Sequence, residues 1–188
     1  MFLDVGRGQS LPGAPVEGGL WVFKVGDKVV YPMHGAGVIE AIEEKEVLGE
    51  RQTYYIMRLP IGDMTVMIPT EGAEEIGIRE VIDDRRLDEV LAILRADQSK
   101  MSSNWNRRYR ANTEKLKTGD IFEVAEVVRN LTIRDREKGL STGERKMLDN
   151  ARQILISELV LAKDISEQEA ERLLAEVLSE RVPKRGEA

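Results

Sequence analysis

Residues 76–96, "IGIREVIDDRRLDEVLAILRA", change their hydrophobic period in the middle. Up to Ile82 the apolar residues are Ile and Val, placed between glycine and charged residues as in a short strand. From Asp83 the apolar positions Leu87, Val90, Leu91 and Leu94 recur at spacings of three and four, which gathers them on one face of a helix. The chain therefore divides near Asp83 into a β module over residues 22–82 and a helical module over residues 83–182, an α+β protein.

Upstream of the switch, "DKVVYP", "GAGVIEAIEE", "ERQTYYIMRLP" and "DMTVMIP" are short segments rich in β-branched and aromatic residues. Several such segments in about sixty residues predict a small, strongly bent antiparallel sheet or barrel. "LGE" at 48–50 and "PIGD" at 60–63 supply the hairpin turns through Gly49 and Gly62. Pro32 and Pro69 fall at strand ends, where a missing N–H does little harm.

Downstream, the spacing predicts about five helices in a bundle. Residues 104–117 form one, with Ser103 as the expected N-cap and Gly119 as the stop. "DIFEVAEVVRNLTIRDREKG" opens on Asp120 and is apolar nearly all round, which marks it as the central buried helix. Ser141 with Glu144, and Ser166 with Glu169, are two capping boxes that open the last two helices.

Composition narrows the chemistry. The 188 residues contain no cysteine and one histidine, His34, too few ligands for a zinc site. His34 lies in "YPMHGAGV" without a serine nucleophile elbow, and it reads as a turn residue. "GAG" at 35–37 lacks the third glycine and the following helix of a dinucleotide fingerprint. With no paired-carboxylate, phosphate-loop or EF-hand pattern, the chain is expected to be neither an enzyme nor a cofactor protein. No apolar run approaches the roughly 18 residues of a transmembrane helix, and no secretory signal opens the chain. A cytoplasmic, monomeric protein without membrane contact is expected. Residues 1–21 are rich in Gly and Pro without periodicity and are expected to be disordered. "EGG" shortly before Val22 further suggests a translated ribosome-binding site ahead of the natural start. Residues 183–188 are expected to be a short tail.

The net charge is −6, but it is unevenly spread. Residues 40–50 carry −4, residues 71–89 carry −5 and residues 164–180 carry −5, whereas residues 102–118 carry +4 and residues 129–146 carry +3. The first positive segment, "SSNWNRRYRANTEKLKTG", places Trp105 among Arg107, Arg108 and Arg110. On a helix Trp105 shares a face with Tyr109, Asn112 and Leu116, and packing into the bundle is the plainer reading. The first-turn position and the surrounding cations favour another: arginines neutralise phosphates while a flat ring stacks on or wedges between bases. "GERK" at 143–146 opens a second basic helix, whose N-terminal N–H groups favour a phosphate, although for this segment alone an ordinary solvated first turn is the favoured reading.

"FKVGDKVVYPMHGAGVIEAIE", "GDMTVMIP", "IGIREVI", "NWNRRYRANTEKLKTGD", "VAEVVRNL" and "GLSTGERKMLDNARQIL" together resemble the CarD (CdnL) family of bacterial transcription regulators, from about Val22 to Leu178. The resemblance implies a Tudor-like N-terminal module that binds the RNA polymerase β subunit, similar to the polymerase-interacting domain of transcription-repair coupling factors. It implies a helical module that contacts promoter DNA in the minor groove at the upstream edge of the melted bubble, without sequence specificity. There the family's tryptophan, aligned with Trp105, stabilises the open complex. Basic positions at the DNA align with Arg110 and Arg145, to which Arg107, Arg108 and Lys146 are added as neighbours. Polymerase contacts align with Lys45 and Met67, with Arg51 beside them. Relatives can carry arginine at the Met67 position, and methionine makes no charged contact. An adaptor that binds polymerase without touching DNA is the alternative.

Overall fold

The computed structural model describes residues 23–180. The expectations for residues 1–21 and 183–188, and the two ends of the expected modules at Val22 and residues 181–182, lie outside them. Five strands come first: β1 (Lys28–Tyr31), β2 (Gly35–Val47), β3 (Glu50–Leu59), β4 (Met64–Pro69) and β5 (Arg79–Glu80). Five helices follow: α1 (Asp84–Arg95), α2 (Trp105–Lys117), α3 (Ile121–Lys138), α4 (Thr142–Lys163) and α5 (Glu167–Ser179). This is the expected α+β arrangement, with the Tudor-like strand module leading and the helices behind it.

The strands form one antiparallel sheet in the order β4-β3-β2-β1-β5. Tyr55, Met57 and Leu59 alternate inward on β3 and meet Ile39, Ile42, Ile68 and Phe23 in the sheet's own core. A bulge between Ile39 and Ala41 bends β2. At the tip of the β2–β3 hairpin, Leu48 and Gly49 both adopt positive φ (56° and 84°), the backbone that matches the strand twist. His34 is indeed in a turn, donating its N–H to the Tyr31 carbonyl at 3.0 Å and stacking on the Tyr31 ring.

The helices open where their caps say. Asp83, Asp120, Ser141 and Ser166 each accept an N–H of the first turn, and both capping boxes are complete. One cap differs from expectation: Asn104, not Ser103, accepts the Arg107 N–H, because α2 begins at Trp105. The core of the bundle is shared. Val124, Val127, Val128 and Leu131 of α3 pack with Leu148, Ala151, Leu155 and Leu159 of α4, so α4 is as central as α3.

The C-terminal half of α4 also carries the sheet. Glu158, fully buried, accepts two hydrogen bonds from Arg79 at 2.6 and 2.8 Å and a third from the Ile82 N–H at 3.1 Å. Ser157 Oγ accepts the Ala36 N–H at 2.8 Å, and Lys28 Nζ donates to the Leu161 carbonyl at 2.9 Å. The "GAG" segment is part of this junction. Gly35 has φ of 100°, and a methyl group there would meet Ser157 Oγ at 2.6 Å; one on Gly37 would meet the Arg58 carbonyl at 2.5 Å. Two glycines are thus needed for close approach of backbone to helix and of strand to strand.

Truncating Arg79 leaves the Glu158 carboxylate buried without its counter-ion, so Arg79→Ala should cost about 3–5 kcal/mol in urea unfolding. Glu158→Ala should cost less, because the partly exposed Arg79 can turn to water.

Candidate nucleic-acid interface

The first turn of α2 lies against the N-terminus of α4. Trp105 Nε1 donates to Ser141 Oγ at 2.9 Å, and the indole stacks on Tyr109 with centroids 5.2 Å apart. Gly143 of α4 lies beside the two rings: a methyl group there would sit 3.4 Å from the Tyr109 ring and 3.6 Å from the Trp105 ring. Trp105 is nevertheless 42% exposed, among the few large apolar side chains at the surface. The indole is therefore neither a core residue nor a free one: one edge is hydrogen-bonded, one face is stacked on Tyr109, and the remainder faces solvent.

The cations divide. Arg108 is 3% exposed and points inward. Its Nε donates to Glu144 at 2.6 Å and its Nη1 to the Ser102 and Ser103 carbonyls. The expectation that Arg108 faces DNA is corrected: its guanidinium is turned inward onto a buried carboxylate and two carbonyls, and at 3% exposure it is out of reach of a phosphate. Arg110, Arg145 and Lys146 are exposed, as is Arg107. Arg145 makes a surface pair with Asp135 at 3.3 Å, of the kind that exchanges readily for another anion. Arg107, Arg110 and Lys146 have no ion pair among the described residues. Arg107, two residues past Trp105 on a helix of 3.6 per turn, leaves on the far side of α2, while Arg110 lies on its flank.

Glu144 is the hub that sequence reading missed. Besides Arg108, it accepts from the Ser141 N–H and hydroxyl, and the Arg134 guanidinium lies 3.8 Å away. Burial pushes its carboxyl pKa up, but the hydrogen bonds from Arg108 and from the Ser141 backbone and hydroxyl outweigh it and hold the pKa below the ordinary value. Sequence had marked Glu144 only as half of a capping box. Nothing local reports that its second oxygen takes a guanidinium from 36 residues away.

On the sheet, Lys45 pairs with Glu43 at 3.1 Å, and Arg51 lies 3.9 and 3.7 Å from Glu44 and Glu46. Met67 is 45% exposed on β4, an edge strand, near the exposed Met64. Lys45 is opposite Gln52 and Met67 opposite Ile56, so Lys45 and Met67 share one face of the sheet. Arg51, one residue out of phase, falls on the other face. The register thus puts two of these three residues on one face of the sheet, on different strands, and the third on the other.

No helix among the described residues is long and apolar enough to cross a membrane. Comparison with known proteins matches residues 23–82 to the CarD-like/TRCF RID domain and residues 89–175 to the CarD C-terminal domain. YdeB of Bacillus subtilis (strain 168), named as a candidate transcription factor, is 51% identical over 148 residues, which cover 79% of this chain and 97% of YdeB. The 72-residue N-terminal domain of Myxococcus xanthus CarD, solved by solution NMR, is 34% identical over 37% of this chain and 93% of that domain, with a TM-score of 0.28.

The inward and outward arginines should separate in unfolding experiments. Arg108→Ala removes the hydrogen-bonded counter-ion of the buried Glu144, leaving Arg134 at 3.8 Å, and should cost about 3 kcal/mol, the low end for a broken buried pair. Arg107→Ala and Arg110→Ala should stay within about 0.5 kcal/mol of the parent.

Glu144 also predicts an acid limb. Its pKa in the folded state lies below the ordinary 4.5, so its contribution is complete above that value and is lost as the pH falls through the lowered one. The stability gap between the parent chain and Glu144→Gln, followed by urea midpoints from neutral pH downward, should narrow across that range.

Proposed function

The chain belongs to the CarD-like transcription factor family, and on that premise we propose that it binds the RNA polymerase β subunit through its strand module and stabilises the promoter open complex through Trp105. The observation that carries this reading is the half-exposed indole at the α2–α4 junction, on two helices that also bear the exposed Arg110, Arg145 and Lys146. Cations at such a junction dock the helices on phosphates, and the ring enters the minor groove where duplex gives way to bubble.

The number of free charges fits a weak, polymerase-assisted contact. In the two basic segments Arg108 and Arg129 are interior, Lys115 and Lys117 pair with Glu126 and Glu114, and Arg136 donates to the Leu178 carbonyl. Arg134 lies 3.8 Å from Glu144; among the described residues Arg107, Arg110, Lys138 and Lys146 are left without an ion pair, and Arg145 has only its surface pair. A handful of phosphate contacts gives modest affinity with a shallow salt dependence, about −0.9 in log-log slope per contact. Tethering by polymerase supplies the missing affinity as effective concentration. Such a factor needs no base-specific reading, which the degenerate minor groove would scarcely permit. On the sheet, the β4 edge with Met64 and Met67 offers unpaired backbone groups and apolar side chains for strand addition by the β subunit. Lys45 belongs to that face. With methionine at position 67 the contact is apolar where an arginine would have made it ionic.

The test is Trp105→Ala in the full chain. The lost bond to Ser141 and the lost stack on Tyr109 should lower stability by about 1–2 kcal/mol, well short of the roughly 3–5 kcal/mol of a core tryptophan. The open complex should lose a stacking contact of about 1–3 kcal/mol, a lifetime shortened roughly fivefold to a hundredfold, with polymerase binding intact. An unchanged lifetime in a folded variant would make the protein an adaptor that does not touch the bubble.

A further inference from the structure

The Ser141 hydroxyl has its full complement of hydrogen bonds, and the indole is one of them. It donates to Glu144 Oε2 at 3.1 Å and accepts the Glu144 N–H at 3.2 Å and the Trp105 Nε1–H at 2.9 Å. One donor and two lone pairs are all a serine hydroxyl has. Glu144 in turn is held by Arg108, three residues along the same helix as Trp105. The result is a closed circuit through two helices: Trp105 to Ser141, Ser141 to Glu144, Glu144 to Arg108, and Arg108 back along α2 to Trp105. Tyr109 fixes one face of the ring by stacking. Among the described residues, the N–H bond to Ser141 is the one polar contact that sets the direction of the indole's long axis.

We propose that Ser141 is the positioning residue for Trp105: it holds the indole in a single projecting orientation in the free protein, so that insertion at the bubble edge does not have to order the ring. The inference rests on the wedge reading of Trp105 and adds to it a residue that touches no DNA. A freely rotating tryptophan would be ordered at the moment of binding, at the expense of affinity.

Open-complex lifetime is read with the full chain, polymerase and promoter DNA; fluorescence anisotropy is read on the full chain alone, in a Trp21→Phe background that leaves Trp105 as its one tryptophan. Ser141→Gly removes the acceptor while keeping a residue nearly as good at an N-cap, so the melting temperature should fall by only the few degrees that the lost hydroxyl bonds cost. The fluorescence anisotropy of Trp105 should fall, and open-complex lifetime should shorten by about threefold to tenfold, the usual range for ordering one side chain at an interface. Ser141→Thr, which keeps the hydroxyl, should restore both. Trp105→Phe keeps a ring but has no N–H, so Ser141→Gly should add nothing in that background. A full lifetime effect of Ser141→Gly on top of Trp105→Phe, or unaltered anisotropy in Ser141→Gly, overturns the proposal. A silent Ser141→Gly beside a damaging Trp105→Ala overturns it while sparing the wedge itself; a silent Trp105→Ala overturns both. Should Ser141→Gly fail to fold, 1-methyltryptophan at position 105 removes the N–H with the cap intact, and an unaltered lifetime then overturns the proposal.

Discussion

The buried Glu158 carboxylate and its three donors join the two halves of this protein. A carboxylate removed from water is costly unless every lone pair finds a partner. Here the partners come from the strand module: the Nη1 and Nη2 atoms of Arg79 and the Ile82 N–H. The helix that carries Glu158 can meet that need in one placement of the sheet, and Ser157, bound to the Ala36 N–H, fixes it a second time. Gly35 gives the backbone room to reach this position.

The same helix carries the other end of the molecule. Its N-cap, Ser141, takes the indole N–H, and Glu144 takes Arg108. Between Ser141 and Glu158 run seventeen residue steps of α4, roughly 25 Å at the rise of an α-helix. One helix therefore spaces the strand module from the tryptophan, and both ends are locked by a buried carboxylate–guanidinium pair. Such pairs add little net stability over an apolar core, since desolvation offsets most of the attraction. What distinguishes them is direction: a bidentate or multiply bonded carboxylate accepts its donors along few lines, whereas apolar contacts tolerate sliding. For a factor proposed to hold polymerase with one end and a bubble edge with the other, fixed spacing is the useful property.

Much of this was written locally. The switch of period at Asp83, the caps at Asp120, Ser141 and Ser166, the turns at Gly49 and Gly62 and the exposed first-turn tryptophan all depend on residues within a few positions of one another. A capping box is a three-residue interval, and an amphipathic face repeats every three or four. The location of positive charge in two middle segments was likewise legible, because it is a property of composition.

The fate of each charge was decided only by the tertiary structure. Arg107, Arg108 and Arg110 are alike in sequence, yet Arg108 is drawn inside because α4 brings Glu144 against that side of α2. Lys45 and Arg51 look like one basic pair, but strand register sends them to opposite faces. The contacts that give Trp105, Ala36 and Arg79 their roles span 36, 121 and 79 residues. Periodicity tells which side of an element is apolar. Which polar group will be buried, and beside what, depends on how elements cross, and only the folded chain brings those partners within bonding distance.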